Sequence, residues 1–185
     1  MNDNEIQLLP YKNVNSNKYV KKYHILNSIN NVIKYKICNV FSPFGREVEY
    51  TNIKNLHQQR FNICFTKEHM KDDKSYVLLI NMINEIENYF KDMEELEDYS
   101  LLSNIIDRGE YGIVIRFHLK TFKNKTITNL SQIIDGKEEN NVEWIQFDKL
   151  KQHNMNFHPD CLWIDDTNKK FGISLVVESV TQFIS

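Results

Sequence analysis

The sequence predicts a mainly β, α+β fold: a small five-stranded barrel with one long amphipathic helix and an N-terminal arm. Three observations predict it. Several stretches alternate apolar and polar residues with the period of a strand, and one stretch alone has the 3.6-residue period of a helix. That helix lies between runs of strands, the order expected of an α+β chain. A length of 185 residues suits one domain with an ample core. The 41% hydrophobic and 26% charged content is ordinary for a globular chain.

Residues 1–31 are polar and asparagine-rich, with Tyr11, Tyr19 and Tyr23 among Lys12, Lys18, Lys21 and Lys22. They read as an arm, either loosely packed or a basic, aromatic segment that touches a partner. In "VIKYKICNVF", Ile33, Tyr35 and Ile37 alternate with Lys34, Lys36 and Cys38, the pattern of a half-buried strand. Pro43 and Gly45 of "SPFG" end it. In "QRFNICFT", Phe61, Ile63 and Phe65 share one face, and Arg60, Asn62 and Thr66 share the other.

The helix is "DDKSYVLLINMINEIENYFKDM", with Val77, Ile80, Ile83, Ile86 and Phe90 at three- and four-residue intervals. Asp72 or Asp73 stands ready to cap its N-terminus. "EELED" continues or ends it as a solvated segment, and "DRG" turns into the strand Tyr111–Phe122. Residues 123–159 are ambiguous: "IIDGKEENN" reads as a turn, and "VEWIQFDKL" as a strand or a short helix. The chain ends with a strand, a polar turn around Asn168–Lys170, and a long strand whose Ile173, Leu175 and Val177 alternate with Ser174, Val176 and Glu178. No repeat or linker divides residues 32–185, which read as a single domain. A five-stranded oligonucleotide-binding (OB) barrel with a helical insertion fits this order and size.

Several chemistries are set aside by what the sequence lacks. There is no phosphate-binding glycine loop, dinucleotide fingerprint, HExxH helix or GxSxG elbow, and the chain has five glycines in all. No apolar run is long enough for a membrane helix. The N-terminus lacks the features of a secretory signal, so an intracellular protein is expected, in host cytoplasm or nucleus if the chain is viral. Cys38, Cys64 and Cys161 are widely spaced and odd in number, which reads as reduced thiols rather than disulfides. A zinc site on His158 and Cys161 lacks a CxxC pair to complete it. Asp165 and Asp166 are adjacent on a hairpin and project to opposite faces, a poor geometry for one Mg²⁺. His118 has no fixed nucleophile or carboxylate beside it in sequence, so it reads as a surface or stacking ring rather than a general base. No enzyme activity, metal or cofactor is expected.

Charge is uneven although the net charge is −2. Residues 85–110 hold nine acids and two bases, a balance of −7, which leaves the remainder at 23 − 2 = 21 bases against 25 − 9 = 16 acids, or +5. Alanine is absent and lysine outnumbers arginine 19 to 4, a usage that fits an A+T-rich genome. In "YGIVIRFHLKTF", Ile113, Ile115, Phe117 and Leu119 form a greasy face opposite Arg116, His118 and Lys120. With Lys34 and Lys36 on one strand and Arg60 on another, these bases form one positive surface if the strands are neighbours. Phosphate backbones bind such surfaces, and aromatic platforms let bases stack without regard to identity. The aromatic candidates are Tyr50, Tyr111, Phe122, Trp144 and Phe157.

"SPFG" after a first strand, "FNICF", a long amphipathic helix and the closing "LWIDD…KKFGISLVVESV" together resemble the OB-fold single-stranded DNA-binding proteins of large DNA viruses and some phages. The resemblance spans residues 32–184 as spacing and residue class. It implies a non-enzymatic protein that coats exposed single-stranded DNA in replication, recombination or repair. It also implies that "KKFG" and the final strand close the barrel. RNA as ligand, contacts with replication proteins and self-association stay open. One departure is the end of the chain: "VVESVTQFIS" is apolar, whereas many such proteins carry an acidic tail. Partner recruitment then differs, or the acidic 92–98 stretch takes that role. The alternative reading is a structural or scaffold protein of a virion or replication complex, with the basic face merely solvated.

Overall fold

Two strands of fifteen residues, Lys151–Asp165 and Lys170–Ile184, form an antiparallel hairpin with which five other strands pair directly among the described residues. Their sequence explains the length. On the second strand Phe171, Ile173, Leu175 and Val177 are all buried on one face, and the turn between the strands is closed by side-chain chemistry. Asp165 accepts the backbone N–H groups of Thr167 (3.0 Å) and Asn168 (3.1 Å) and the Asn168 side-chain amide (2.8 Å). Lys169 then takes a left-handed conformation, φ 51°.

The computed structural model describes residues 6–10, 20–42, 46–50, 57–122, 125–140 and 151–184, with the backbone alone at 41–42, 46–50, 57–59, 72, 111, 121–122, 125–126 and 151. In chain order the strands begin with β1 (Ile6–Pro10), β2 (Val20–Asn27), β3 (Tyr35–Ser42), β4 (Arg46–Tyr50) and β5 (His57–Phe65). Two helices follow, α1 (Lys67–Asp72) and α2 (Lys74–Lys91). Then come β6 (Ser100–Leu101), β7 (Ile105–Asp107), β8 (Ile113–Leu119), β9 (Thr121–Phe122) and β10 (Lys125–Thr126). The last are β11 (Asn129–Ile134), β12 (Lys137–Asn140), β13 (Lys151–Asp165) and β14 (Lys170–Ile184).

Twelve of the described strands form one sheet, whose main path runs β1-β2-β13-β14-β8-β5-β4, while β9 and β10 form a separate pair. The expected count of five is therefore too low. The long hairpin is shared along both outer edges. Beyond β13 lie β2, at residues 161–165, and β3, at residues 151–157. Beyond β14 lie β6, β8 and β11, all parallel to it. Register shifts at Asn156/Phe157 and Pro159/Cys161 break the β13–β14 ladder. Such bulges raise local twist and bend, and a proline is tolerated there because it has no N–H to donate. The sheet curls accordingly into a mainly β, OB-like half-barrel.

The stretch expected to be an arm contributes two strands. β1 and β2 pair antiparallel, and β2 is hydrogen-bonded to β13. In β3 the expected face holds at Ile37, which is buried. Asn39 then takes φ 58° and donates its N–H to the Asn154 side chain (3.0 Å), so the next core residue is Val40. "IIDGKEENN" is a true hairpin, β11–β12, turning through Asp135 and Gly136, both at positive φ. Residues 43–45 of "SPFG" and 142–150, "VEWIQFDKL", lie outside the described residues.

The core lies between the curled sheet and α2. Phe61, Ile63 and Phe65 on β5 stand opposite Phe117, Ile115 and Ile113 on β8, and all but the partly buried Ile113 are sealed from solvent. Phe157 is fully buried, stacked on Tyr35 (centroids 5.4 Å) and edge-on to Phe117 (5.1 Å). Of the aromatic candidates it is therefore a core residue and not a surface platform. Asp73 caps α2 by accepting the Ser75 N–H at 2.8 Å. The buried stripe is Tyr76, Leu79, Ile83, Ile86, Glu87 and Phe90. Val77 is exposed, so the stripe enters one residue earlier than the sequence pattern suggests. Tyr76 and Leu79 satisfy the same three- and four-residue spacing, and Tyr76 wins because its ring packs on Phe65 (4.5 Å).

Glu87 is the one acidic residue in that stripe. Its carboxylate accepts the Ser103 hydroxyl (2.6 Å), the Asn104 backbone N–H (2.7 Å) and the Asn104 side-chain amide (3.1 Å). Replacing it with alanine leaves those buried donors unpaired, and stability is expected to fall by on the order of 3 kcal/mol. Urea unfolding should show a lower midpoint at an unchanged slope; an unchanged midpoint would contradict this role.

The hairpin turn predicts a pH dependence. Hydrogen bonds from Asn168 hold the Asp165 carboxyl below the usual aspartate range, and those from Lys21 and Tyr99 do the same for Asp166. Groups depressed in the folded state stabilise it above their unfolded pKa of about 3.9. That contribution is lost as pH falls through the lower folded values. Thermal unfolding should show an acid limb below about pH 4, shallower in Asp166→Asn; an identical limb in that variant would exclude Asp166 as a source.

Candidate nucleic-acid interface

The outer face of the sheet, opposite the core, collects cations because of register. β5 pairs with β8 so that Arg60 faces His118 and Asn62 faces Arg116. Side chains at paired positions share a face, so Arg60, Arg116 and His118 form one cluster. On the other side of β14, Trp163 stands opposite Gly172 and also opposite Lys22 of β2. A groove of about 320 Å³ crosses this face, lined by Lys22, Trp163, Ser174, Arg116, His118 and Arg60, with the 102–104 segment along one wall. None of the described residues lining it is acidic.

The groove exists because the sheet forks. β14 pairs with β6 at Lys170 and Phe171, and with β8 at Val176 and Val177. Between them, residues 172–175 have neither strand beside them, and the 102–104 segment crosses the gap. Leu102 donates its N–H to the Phe171 carbonyl (2.7 Å), and the Asn104 amide donates to the Ile173 carbonyl (2.8 Å). The Arg116 N–H donates to the Asn104 carbonyl (3.1 Å), tying the wall to the strand that carries the cations. Glu87 clamps the same segment from inside.

Two further features shape the other end. An added Cβ at Gly172 would lie 2.5 Å from Cζ2 and 2.8 Å from Cε2 of Trp163, and 3.1 Å from the Leu102 carbonyl oxygen. Only glycine lets the indole lie against the β14 backbone. β2, which presents Lys22, is pinned by its neighbour: Lys21 pairs with Asp166 at 2.9 Å, and Asp166 also accepts the Tyr99 hydroxyl at 2.7 Å. The hydrogen bond to Asp166 raises the Lys21 pKa. Lys169 completes this surface knot with its ammonium 4.5 Å from the centre of the Tyr99 ring.

Of the residues expected from sequence, Arg60, Arg116 and His118 are brought together. Lys34 is not with them: it forms an ion pair with Glu178 at 3.0 Å. Lys36 is exposed on β3, opposite Asn156. β3 joins β13 rather than β5 or β8, so the single surface over three neighbouring strands does not form. Lys120 is exposed just past β8, with its N–H donated to Thr128 Oγ1 (2.9 Å). Tyr50 ends β4, Tyr111 ends a short 3₁₀ turn and Phe122 ends β9. Their side chains, and Trp144 entirely, lie outside the described residues. The sequence reading missed Trp163, Ser103 and Asn104, and it counted Lys22 with the arm.

The other candidate chemistries resolve into structural roles. Asp165 closes the hairpin turn and Asp166 belongs to the Lys21–Tyr99 knot. All three cysteines are free; burial pushes the Cys161 thiol up to about 11 and raises Cys64 as well. No cluster of three or more His, Cys, Asp or Glu residues suited to a metal is present among the described residues. No described helix is long and apolar enough to cross a membrane.

No protein-family model matches the chain, and no curated protein matches it in sequence. Among solved structures it is similar to gp2.5, a single-stranded DNA-binding protein encoded by bacteriophage T7. The TM-score is 0.54 and the identity 12%, over 82% of this chain and 86% of that one. The single-stranded DNA-binding protein from bacteriophage Enc34, solved in complex with single-stranded DNA, aligns with a TM-score of 0.49 and 13% identity over 95% of this chain and 94% of that one. At such identity the likeness to the T7 protein is one of architecture: the chain has the mainly β, OB-like fold of a phage single-stranded DNA-binding protein.

Proposed function

We propose that the chain binds single-stranded DNA without sequence preference, as a non-enzymatic component of DNA replication, recombination or repair. The observation that carries this reading is the groove itself. Lys22, Arg60 and Arg116 converge with His118 and Trp163 on one face, and no acid lines the groove among the described residues. Three cations converging on one face suit a phosphodiester backbone, whose neutralisation releases condensed counterions. The T7 protein that shares the fold is a single-stranded DNA-binding protein, which supports the same class of ligand here. The acids of 85–98 sit on α2 and the segment after it, and none of them is among the described residues that line the groove.

The test is fluorescence anisotropy with labelled oligo-dT of about 30 nucleotides, longer than the ~4–16 nucleotides one such fold engages. Binding should be salt-sensitive and resist competition by duplex. Arg60→Glu combined with Arg116→Glu should weaken binding at least about tenfold at low salt. It should also flatten the log–log salt slope by about 1.4, from roughly 0.7 per lost contact. Lys120→Glu, outside the groove, should change both much less. Unchanged affinity and slope in the double variant would contradict the assignment of the face. No binding by the native chain at low salt would favour the scaffold reading.

A further inference from the structure

The groove has an order across the sheet that a uniform positive surface lacks. Reading along β2, β13, β14, β8 and β5, it presents Lys22, then Trp163, then Ser174, then Arg116 with His118, then Arg60. Neighbouring strands are about 4.8 Å apart, so Lys22 lies about one strand spacing from the indole on one side. Arg116 lies on the other side, beyond β14 and the 102–104 segment that fills the gap, and Arg60 is on the next strand after it. Cations flank one aromatic ring on both sides. A free nucleotide, with phosphate on one side of its base, uses half of that arrangement. An internal nucleotide of a strand, with a phosphodiester on each side, uses all of it.

The ring is also built as a platform. Trp163 is neither sealed in the core nor freely exposed: it is half-buried, lies against the backbone at Gly172, and lines the groove. Its immediate neighbours on β13, Leu162 and Ile164, turn the other way; Leu162 is a core residue and Ile164 packs against the core. The indole therefore does not close the interior, and the position needs a large flat side chain for another reason. Stacking of a base on such a ring does not depend on base identity. It also requires the base to have left its pair, which excludes intact duplex.

We infer that Trp163 is the base-stacking platform for one unpaired internal nucleotide, with Lys22 on one flanking phosphodiester and Arg116 with Arg60 on the other. The DNA then crosses the strands from β2 towards β5 instead of running along them. This inference rests on the proposed function, and its failure is distinguishable from failure of that reading.

The chain has two tryptophans, Trp144 and Trp163, so Trp144→Phe leaves the platform as the sole indole emitter. Titrating that variant with oligo-dT should change its emission, saturating at the concentrations where anisotropy saturates. Trp163→Ala should weaken oligo-dT binding between about 5- and 150-fold, the range for loss of one stacked base, while the salt slope stays as in the native chain. Trp163→Phe should recover most of the affinity, and it serves as the folded control if the alanine variant is unstable. An oligonucleotide with abasic sugars should bind weakly and be insensitive to Trp163→Ala. Gly172→Ala, which displaces the indole without removing it, should weaken oligo-dT in the same direction. Normal oligo-dT binding with no change in Trp163 emission, or Trp163→Ala at native affinity, would overturn the platform and leave single-strand binding standing. Absence of oligo-dT binding by the native chain would overturn both.

Discussion

The structure depends on one long hydrogen-bonded ladder, the β13–β14 hairpin. Short strands are weak on their own, because each must repay backbone entropy with few hydrogen bonds and little buried surface. Here the two fifteen-residue strands give them a common template, with β2 and β3 sharing one edge and β6, β8 and β11 sharing the other. Bulges in β13 bend the template, and the bend turns the apolar faces of β5, β8 and β14 inward onto α2. The turn that closes the hairpin is tied to β2 through Asp166 and Lys21. The N-terminal strand that carries Lys22 is thereby fixed by the same element that organises the core.

Sharing one edge among several strands leaves a gap, and the gap is where the cations gather. A buried backbone group without a partner is costly, so the 102–104 segment and the Asn104 side chain supply hydrogen bonds that a continuous strand would otherwise make. Glu87 holds that segment from the helix side, with each carboxylate oxygen satisfied. A helix residue that never reaches the outer face thus shapes a groove on it. The charge separation along the chain has a counterpart in space. The acids of 85–98 sit on α2 and the turn after it, while the groove on the sheet has only basic and neutral lining among the described residues.

Much of the fold was legible in the sequence where a pattern is local. The alternation in β5, β8 and β14 located the core faces, Asp73 was a visible cap, and "DG" in 135–136 marked a hairpin turn. The helix stripe was off by one residue because Tyr76–Leu79 and Val77–Ile80 have the same spacing, and only the ring of Phe65 decides between them. The number of strands was not legible: β1 and β2 lie in a polar, asparagine-rich stretch, and the pairing of β1 with β2 and of β2 with β13 is a tertiary choice. The site was half legible for the same reason. Arg60, Arg116 and His118 stand out on two strands that are adjacent in the sheet. Lys34 and Lys36 have the same local pattern, but β3 joins a different edge, and Glu178, distant in sequence, neutralises Lys34. Trp163 carried a faint signal in the glycine that sits opposite it, and nothing in the sequence says that Gly172 is its partner.

Three cations and an indole on the outer face of a forked sheet make a specific claim about place, so the most direct measurement is one that reports place. For a chain of 22.1 kDa, amide chemical shifts can be followed residue by residue as oligo-dT is added. The account predicts that the largest changes fall on Lys22, Asn104, Arg116, His118 and Trp163, with α2 and the acidic segment after it unaffected. Changes centred on Lys34 and Lys36, or spread along the acidic segment, would contradict it.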